Sequence, residues 1–319
     1  MSELIRTVDL KKYFHTQSGD LHAVDDVNLT INKGETLGVV GESGCGKSTL
    51  GRVILNLIPA TSGQVFFEGK DILKCSKNEM KKLRTDLQII FQDPYASLNP
   101  RMTVSDIIAE PMLVNKTFPT QNEIYAHVGK MMNTVGLAQR LANAYPHELD
   151  GGRRQRIGVA RALALNPKFV VCDEPVSALD VSIQAQILNL LMDLQDEFGF
   201  TYRFITHDLS VVKHISNTIA VMYLGQCVER ATATELFLNP LHPYTKALMA
   251  AVPVPTLAQR GKPKTLIRGE ITSPINPKSG CRFAARCEYC QPECTGTAIP
   301  LVEVAAEHFV ACARCRAEK

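Results

Sequence analysis

The sequence predicts an α/β fold: a mainly parallel sheet with helices on both faces, extended by an antiparallel edge layer, a helical insertion and a small cysteine-rich region. Three observations carry that prediction. Apolar runs alternate with amphipathic stretches between residues 36 and 224, the pattern of parallel strands joined by helices. One such run, Thr36 to Val40, leads into Gly41-Glu-Ser-Gly44-Cys-Gly46-Lys47-Ser48 and then a helical pattern. Six of the ten cysteines fall from residue 281 onward, a compositional shift that marks a domain boundary.

A chain of 319 residues accommodates one large core and a smaller appendage. Its net charge of +3 is small for that length and argues against nucleic acid as the main partner. The opening residues, Met1-Ser-Glu-Leu-Ile-Arg, carry no apolar signal segment, and no run of about 18 apolar residues occurs. The expectation is a cytosolic chain that reaches a membrane only through a protein partner. In a reducing compartment, clustered cysteines point to metal rather than to disulfides.

Taken in order, residues 4–31 alternate, as in Ala23-Val-Asp-Asp-Val-Asn-Leu-Thr-Ile31, and read as edge strands of an antiparallel layer. Tyr13 lies between two of them, where its ring either stacks on an adenine or fills a hairpin. Thr36–Val40 is a buried strand, residues 47–58 a helix, and Gly63–Gly69 a strand between turns. Leu87–Gln92 is a second buried strand, its polar end at the carboxyl edge where open α/β sheets bind ligands. From Asp93 to Asp150, prolines 94, 100, 111 and 119 punctuate helical patterns, with Ile124, Val128, Met131, Val135 and Leu137 near 3.6 periodicity. Then come a helix over Arg154–Leu165, a central strand over Phe169–Asp173, and a long amphipathic helix over Ser182–Phe198. The apolar face of that last helix is Ile183, Ile187, Leu190, Leu191 and Leu194. Thr201–Thr206 and Thr218–Leu224 supply further strands, and Arg203 stands inside one that should be apolar. After Pro253 a linker containing Pro, Lys and Gly leads to the cysteines.

The chemistry follows from residue types and spacing. Glycines 41, 44 and 46 let backbone N–H groups approach a phosphate chain, and the helix that follows adds its positive end. Lys47 supplies a point charge for phosphate, and the Ser48 hydroxyl suits Mg²⁺. Asp173 and Glu174 end a buried strand, where the first can hold Mg²⁺ through water and the second can activate an attacking water. Thr206-His207-Asp208 ends the next strand, so His207 can reach a terminal phosphate; Gln92 can contact Mg²⁺ or water. Gly151 and Gly152 precede a helix and offer a second set of N–H groups at a positive helix end.

The order phosphate loop, Gln92, Gly-Gly turn, Asp173-Glu174, Ser177-Ala-Leu-Asp180, His207 resembles the ATP-binding subunits of ABC transporters. Gly41-Glu-Ser-Gly-Cys-Gly-Lys-Ser-Thr-Leu-Gly51, Phe91-Gln-Asp-Pro-Tyr-Ala-Ser-Leu-Asn-Pro100, Tyr145-Pro-His-Glu148 and His242-Pro-Tyr-Thr-Lys-Ala-Leu248 resemble the dipeptide/oligopeptide importer ATPases, in particular their F-type subunit. The resemblance implies a P-loop NTPase fold with a RecA-like core. Residues 1–253 would form the nucleotide-binding domain, with a helical subdomain about 93–153, and 254–319 a C-terminal region. It implies ATP held by Gly41, Ser43, Gly44, Cys45, Gly46, Lys47, Ser48 and Thr49 with Tyr13 on the adenine. Mg²⁺ would sit on Ser48 and Gln92, near Asp173. Glu174, His207 and Gln92 would be catalytic, Gly151 and Gly152 would close on a partner's nucleotide, and Asp180 would communicate across the dimer. The implied partners are a second ATPase subunit in a heterodimer, two membrane-spanning permease subunits docked on the insertion, and an extracytoplasmic substrate-binding protein. The chain would sit on the cytoplasmic face of the membrane. An importer of nickel or another small solute is the alternative. A GTPase would need Asn-Lys-x-Asp, and Asn115-Lys-Thr-Phe lacks the acid. An ABC protein acting on nucleic acid would want a basic track or a second cassette.

One departure stands out: the usual Leu-Ser-Gly-Gly-Gln turn is Leu149-Asp150-Gly-Gly-Arg153 here. An ionised Asp150 cannot donate to phosphate, and two like charges 4 Å apart repel by about 4 kcal/mol at an effective dielectric near 20. Either the ATP facing this turn is hydrolysed slowly, or Asp150 simply caps the helix. The cysteines also allow two readings. Cys287-x2-Cys290 with Cys312-x2-Cys315 reads as a zinc ribbon, its gap slightly long. Cys281, Cys287, Cys294 and Cys312, in Gly280-Cys-x-Phe-x-x-Arg-Cys287 surroundings similar to the peptide-importer ATPases, would hold a [4Fe–4S] cluster.

Overall fold

The computed structural model describes residues 2–251, 269 and 272–316; the expected linker and domain boundary begin outside the described residues. In chain order the elements are β1 (Glu3–Thr16), β2 (Gly19–Asn32), β3 (Thr36–Val40), α1 (Lys47–Ile54), β4 (Ser62–Phe67), β5 (Lys70–Asp71), α2 (Lys77–Leu83) and β6 (Leu87–Ile90). The helical stretch follows as α3 (Pro94–Ser97), α4 (Val104–Asn115), α5 (Gln121–Thr134) and α6 (Gly151–Leu163). Then come β7 (Phe169–Asp173), α7 (Val181–Phe198), β8 (Thr201–Ile205), α8 (Leu209–Ile215), β9 (Thr218–Tyr223) and β10 (Gln226–Thr232). The chain continues with α9 (Ala233–Leu238), α10 (Pro243–Ala250), β11 (Val302–Ala305) and β12 (His308–Val310).

These elements form two compact units. The first comprises Met1–Ser2, Asn32–Glu35 and Lys74–Ile205. Its strands β6, β7 and β8 run parallel in that order, with Ile90 opposite Cys172 and Asp173 opposite Ile205. All residues of β7 and β8 are buried, as continuous apolar runs require, and Arg203 is fully buried among them. Helix α7 buries Ile187, Leu188, Leu191 and Leu194, while Ile183 and Leu190 are only half-buried. The insertion is helical as expected, and Ile124, Val128, Val135 and Leu137 are in its core. Met132 rather than Met131 is buried there, four residues on from Val128 along the same face.

The second unit comprises Glu3–Ile31, Thr36–Leu73 and Thr206–Lys319. It contains an antiparallel sheet in the order β2-β1-β4-β5, the layer expected from the alternation of residues 4–31. Strand β3 pairs parallel with β9, and β10, β12 and β11 add antiparallel strands beyond it. The sequence pattern did not reveal these last three. Strand β10 carries Glu229 and Arg230, and β12 is three residues long, so neither shows an apolar run. What makes Glu229 tolerable at full burial is its partners. Its Oε1 accepts from His308 Nε2 at 2.8 Å and Leu241 N–H at 2.7 Å, and its Oε2 from His242 N–H at 2.9 Å. One apolar core then gathers Val40, Val212, Val221, Tyr223, Tyr244 and Phe283, joining the strand before the phosphate loop to the C-terminal region.

Candidate functional site

The phosphate loop belongs to the second unit. It leaves the buried strand β3 and turns into α1 through Gly46, whose φ of 99° is left-handed and where a Cβ would meet the Ala23 carbonyl oxygen at 1.9 Å. Gly41 is equally confined: a Cβ there would lie 2.1 Å from Met222 O. Ser43 and Gly44 are exposed, Ser48 and Thr49 half-buried, and Cys45 buried, which pushes its thiol pKa up. Lys47 is only 5% exposed. Its Nζ donates to Gly41 O at 2.8 Å and Glu42 O at 3.0 Å, so the ammonium is held at the loop itself. Helix α1 stops at Ile54, short of the expected 58, because Asn56 turns left-handed at φ 50° and Pro59 follows.

Tyr13 stacks on His22 with ring centroids 3.8 Å apart and planes within 20°. Its hydroxyl donates to the Asp25 carboxylate; burial first, and then Asp25, raise its pKa. His207 also lies in this unit, exposed, between Thr206 and Asp208; Asp208 caps α8 by accepting from Ser210 N–H at 2.7 Å. A recess of about 560 Å³ between β1–β2 and β10 contains none of the expected phosphate-loop residues.

The first unit brings together the remaining polar groups. Asp173 ends β7 nearly fully buried, and Glu174 follows with a left-handed φ of 47°. Gln92 Nε2 donates to Glu174 Oε2 at 2.9 Å. Gln92 itself lies past the end of β6, which stops at Ile90, two residues earlier than expected. Gly151 and Gly152 are the first turn of α6 rather than a loop before it. The close approach of α7 explains the glycine at 152, since a Cβ there would meet Ile183 Cγ2 at 2.8 Å. Asp180 caps α7, accepting from Ser182 Oγ at 2.7 Å and Ile183 N–H at 3.0 Å, which hold its carboxyl below the usual range. Asp150 caps α6, accepting from Arg153 N–H at 2.8 Å with Arg153 Nε at 3.4 Å. The capping role is therefore real, and Arg153 offsets part of the charge.

Cys281, Cys287, Cys294 and Cys312 line one narrow recess with His242, Phe283 and Tyr289. Cys290 and Cys315 do not line it. Burial pushes the Cys281 thiol up to about 11, as the neighbouring thiols do further. Among the described residues no group of three or more Cys, His, Asp or Glu side chains is arranged to hold a metal ion.

Residues to which the sequence assigned no role surround the loop. Glu42 N–H donates to Tyr244 Oη at 2.9 Å, and Arg286 grips the Glu42 carboxylate. No local signal could reveal a contact spanning more than two hundred positions.

A family model described as ABC transporter matches residues 24–177, and one described as oligopeptide/dipeptide transporter, C-terminal region, matches 228–294. Over 319 residues the chain is 53% identical to the oligopeptide transport ATP-binding protein OppF of Salmonella typhimurium, covering 97% of this chain and 95% of that protein. It is 50% identical over 315 residues to AppF of Bacillus subtilis, covering 95% of each. In structure it is similar to an ATP-binding cassette in a dimeric post-hydrolysis state bound to ADP and Pi. There the TM-score is 0.66 at 28% identity, over 72% of this chain and 99% of that one. A component of the cbiONQ ABC transporter complex from Clostridium perfringens matches with TM-score 0.67 at 27% identity, over 75% and 92%.

Proposed function

The chain belongs to the ABC transporter family of ATP-binding subunits, and from that premise we propose that it hydrolyses ATP to power import of di- and oligopeptides through a membrane transporter. The observation that carries the reading is Lys47, a buried ammonium held at a glycine-built loop whose shape admits no side chain at Gly41 or Gly46. A cation so placed, at the start of a helix, is a receptor for phosphate. Substrate class rests on the C-terminal family match and on the names of the relatives.

In this reading the loop residues Gly41 to Thr49 bind the phosphates and Tyr13 stacks on the adenine. Glu174, oriented by Gln92, positions the attacking water for in-line displacement, and His207 steadies the terminal phosphate. Ser48, Gln92 and Asp173 offer the hard oxygen donors that Mg²⁺ prefers; when bound, it neutralises charge on the phosphates. Gly151 and Gly152, at the positive end of α6, face the nucleotide of a second cassette, and Asp180 lies at the same dimer contact. The partners are that second ATPase subunit, two permeases reached through the 93–153 subdomain, and an extracytoplasmic binding protein, with this chain peripheral on the cytoplasmic face. The four recess cysteines would supply the donor set of a [4Fe–4S] or zinc centre. Iron and zinc analysis of anaerobically purified protein tests that assignment, and protein free of both metals would refute it.

The expected outcome of Glu174→Gln is a protein that binds ATP, stalls turnover and accumulates closed dimers, whereas Lys47→Ala loses ATP affinity. Undiminished Mg-dependent ATPase activity of the assembled E174Q transporter would overturn the mechanism.

A further inference from the structure

Within the second unit, the short segment between Cys281 and Cys287 touches two different parts of the nucleotide machinery through two buried cations. Arg286, with a side chain 6% exposed, donates from Nη1 to Glu42 Oε2 at 2.9 Å and from Nη2 to Glu42 Oε1 at 3.3 Å. It also reaches Tyr223 Oη at 3.2 Å. Glu42 is the second residue of the phosphate loop, and its carbonyl is one of the two that hold the Lys47 ammonium. A guanidinium fork, a carboxylate, a backbone carbonyl and the phosphate-binding ammonium thus form one continuous chain of charge-assisted contacts. Arg282, with a side chain 5% exposed, pairs with Asp25, the acceptor of the Tyr13 hydroxyl, and donates to Leu224 O. The turn it grips there is tied to the loop, since Gly225 N–H donates to Cys45 O at 2.9 Å. Between the two arginines, Phe283 is buried against Tyr223 and Tyr244, with ring centroids 5.3 and 5.5 Å away, which fixes the segment in place.

We propose that Arg286 and Arg282 are positioning residues for ATP: the segment 281–287 sets the shape of the phosphate loop through Glu42 and that of the adenine-stacking wall through Asp25 and Tyr13. The proposal rests on the nucleotide reading above. Burying two guanidinium groups is costly unless each is fully paired, and here both pairings are spent on residues at the nucleotide. Removing Arg286 leaves the Glu42 carboxylate uncompensated beside the place where phosphates dock and frees the loop that carries Lys47. Lysine is a poor replacement, because a point charge cannot make the two-point fork.

The test is calorimetric titration of the purified full-length chain with Mg²⁺ and a non-hydrolysable ATP analogue, reading affinity and stoichiometry separately. The expected results are about tenfold weaker affinity in Arg286→Ala at unchanged stoichiometry, and a partial loss in Arg286→Lys. Arg286→Ala/Glu42→Ala should be no weaker than either single variant, as coupling through one contact requires. Arg282→Ala should weaken affinity as well, whereas Arg314→Ala, whose guanidinium lies over Tyr289 instead, should not. Affinity within twofold of wild type in both R286A and R282A overturns the proposal. So does a fall in stoichiometry alone, which marks a purely structural role. If R286A does not fold, R286K and E42A decide by the same criterion. A wild-type chain that binds no nucleotide sinks the functional reading, and this one with it.

Discussion

Two residues at helix starts show how one side chain decides what a motif can do. Gly46 combines a left-handed φ with a backbone oxygen 1.9 Å from where a Cβ would stand. Left-handed backbone alone costs a non-glycine residue about 1–2 kcal/mol, and the clash adds to it. Gly46→Ala is therefore expected to lower the melting temperature and to abolish ATP binding, both measurable on the purified chain. At Asp150 the sequence left two readings open, slow turnover at the facing nucleotide or a plain helix cap. The structure shows the cap, and it shows Arg153 beside the carboxylate. An exposed acid paired with one arginine still cannot donate to phosphate. Asp150→Ser keeps the cap, since serine caps as well as aspartate. It is expected to raise the ATPase rate of the assembled transporter several-fold, and an unchanged rate would leave Asp150 as a cap and nothing more.

At the scale of elements, β10 and β12 are joined by an ion pair that sequence pattern could not announce. Glu229 and His308 are both fully buried. Burial opposes the charge on each, yet the hydrogen bonds to Glu229 hold its carboxyl below the ordinary 4.5, and Glu229 and Glu235 raise His308 above the ordinary 6.5. A depressed carboxyl stabilises the fold above its unfolded value and loses that contribution as pH falls. A raised imidazole stabilises below its unfolded value and loses it as pH climbs through the folded value. Thermal stability is thus expected to be greatest between about pH 4.5 and 6.5 in this pair's contribution, falling on both sides. Melting curves of His308→Gln should lose the alkaline limb. They should also show overall destabilisation of about 3–5 kcal/mol, since Glu229 would be left buried without its cation. Elements whose apolar pattern is local behaved differently. Strands β3, β7 and β8 and helix α7 lie where alternation and apolar runs put them, because burial on one or both faces dictates residue type directly.

For the molecule as a whole, the proposed partners make this chain one part of an assembly. The helical insertion exposes Val114 at 62% and Tyr95 at 59%, large apolar groups that a permease surface would cover. Val114→Asp is expected to leave nucleotide affinity intact and to reduce co-purification with the membrane subunits; full recovery of the complex would place the contact elsewhere. Among the described residues no helix is long and apolar enough to cross a membrane. The sequence by itself determined the α/β class, the phosphate loop and the carboxylate pair at the end of β7. Each of these is written in neighbouring residues or in a short spacing, and the physics that selects them is local: burial period, backbone conformation, charge at a strand end. Only the tertiary structure decided that Arg286 holds Glu42, that Arg282 holds Asp25 beneath Tyr13, and that Glu229 can be buried. Those pairings join residues far apart in the chain. A charged side chain carries no mark of its partner until folding removes it from water and makes the pairing obligatory.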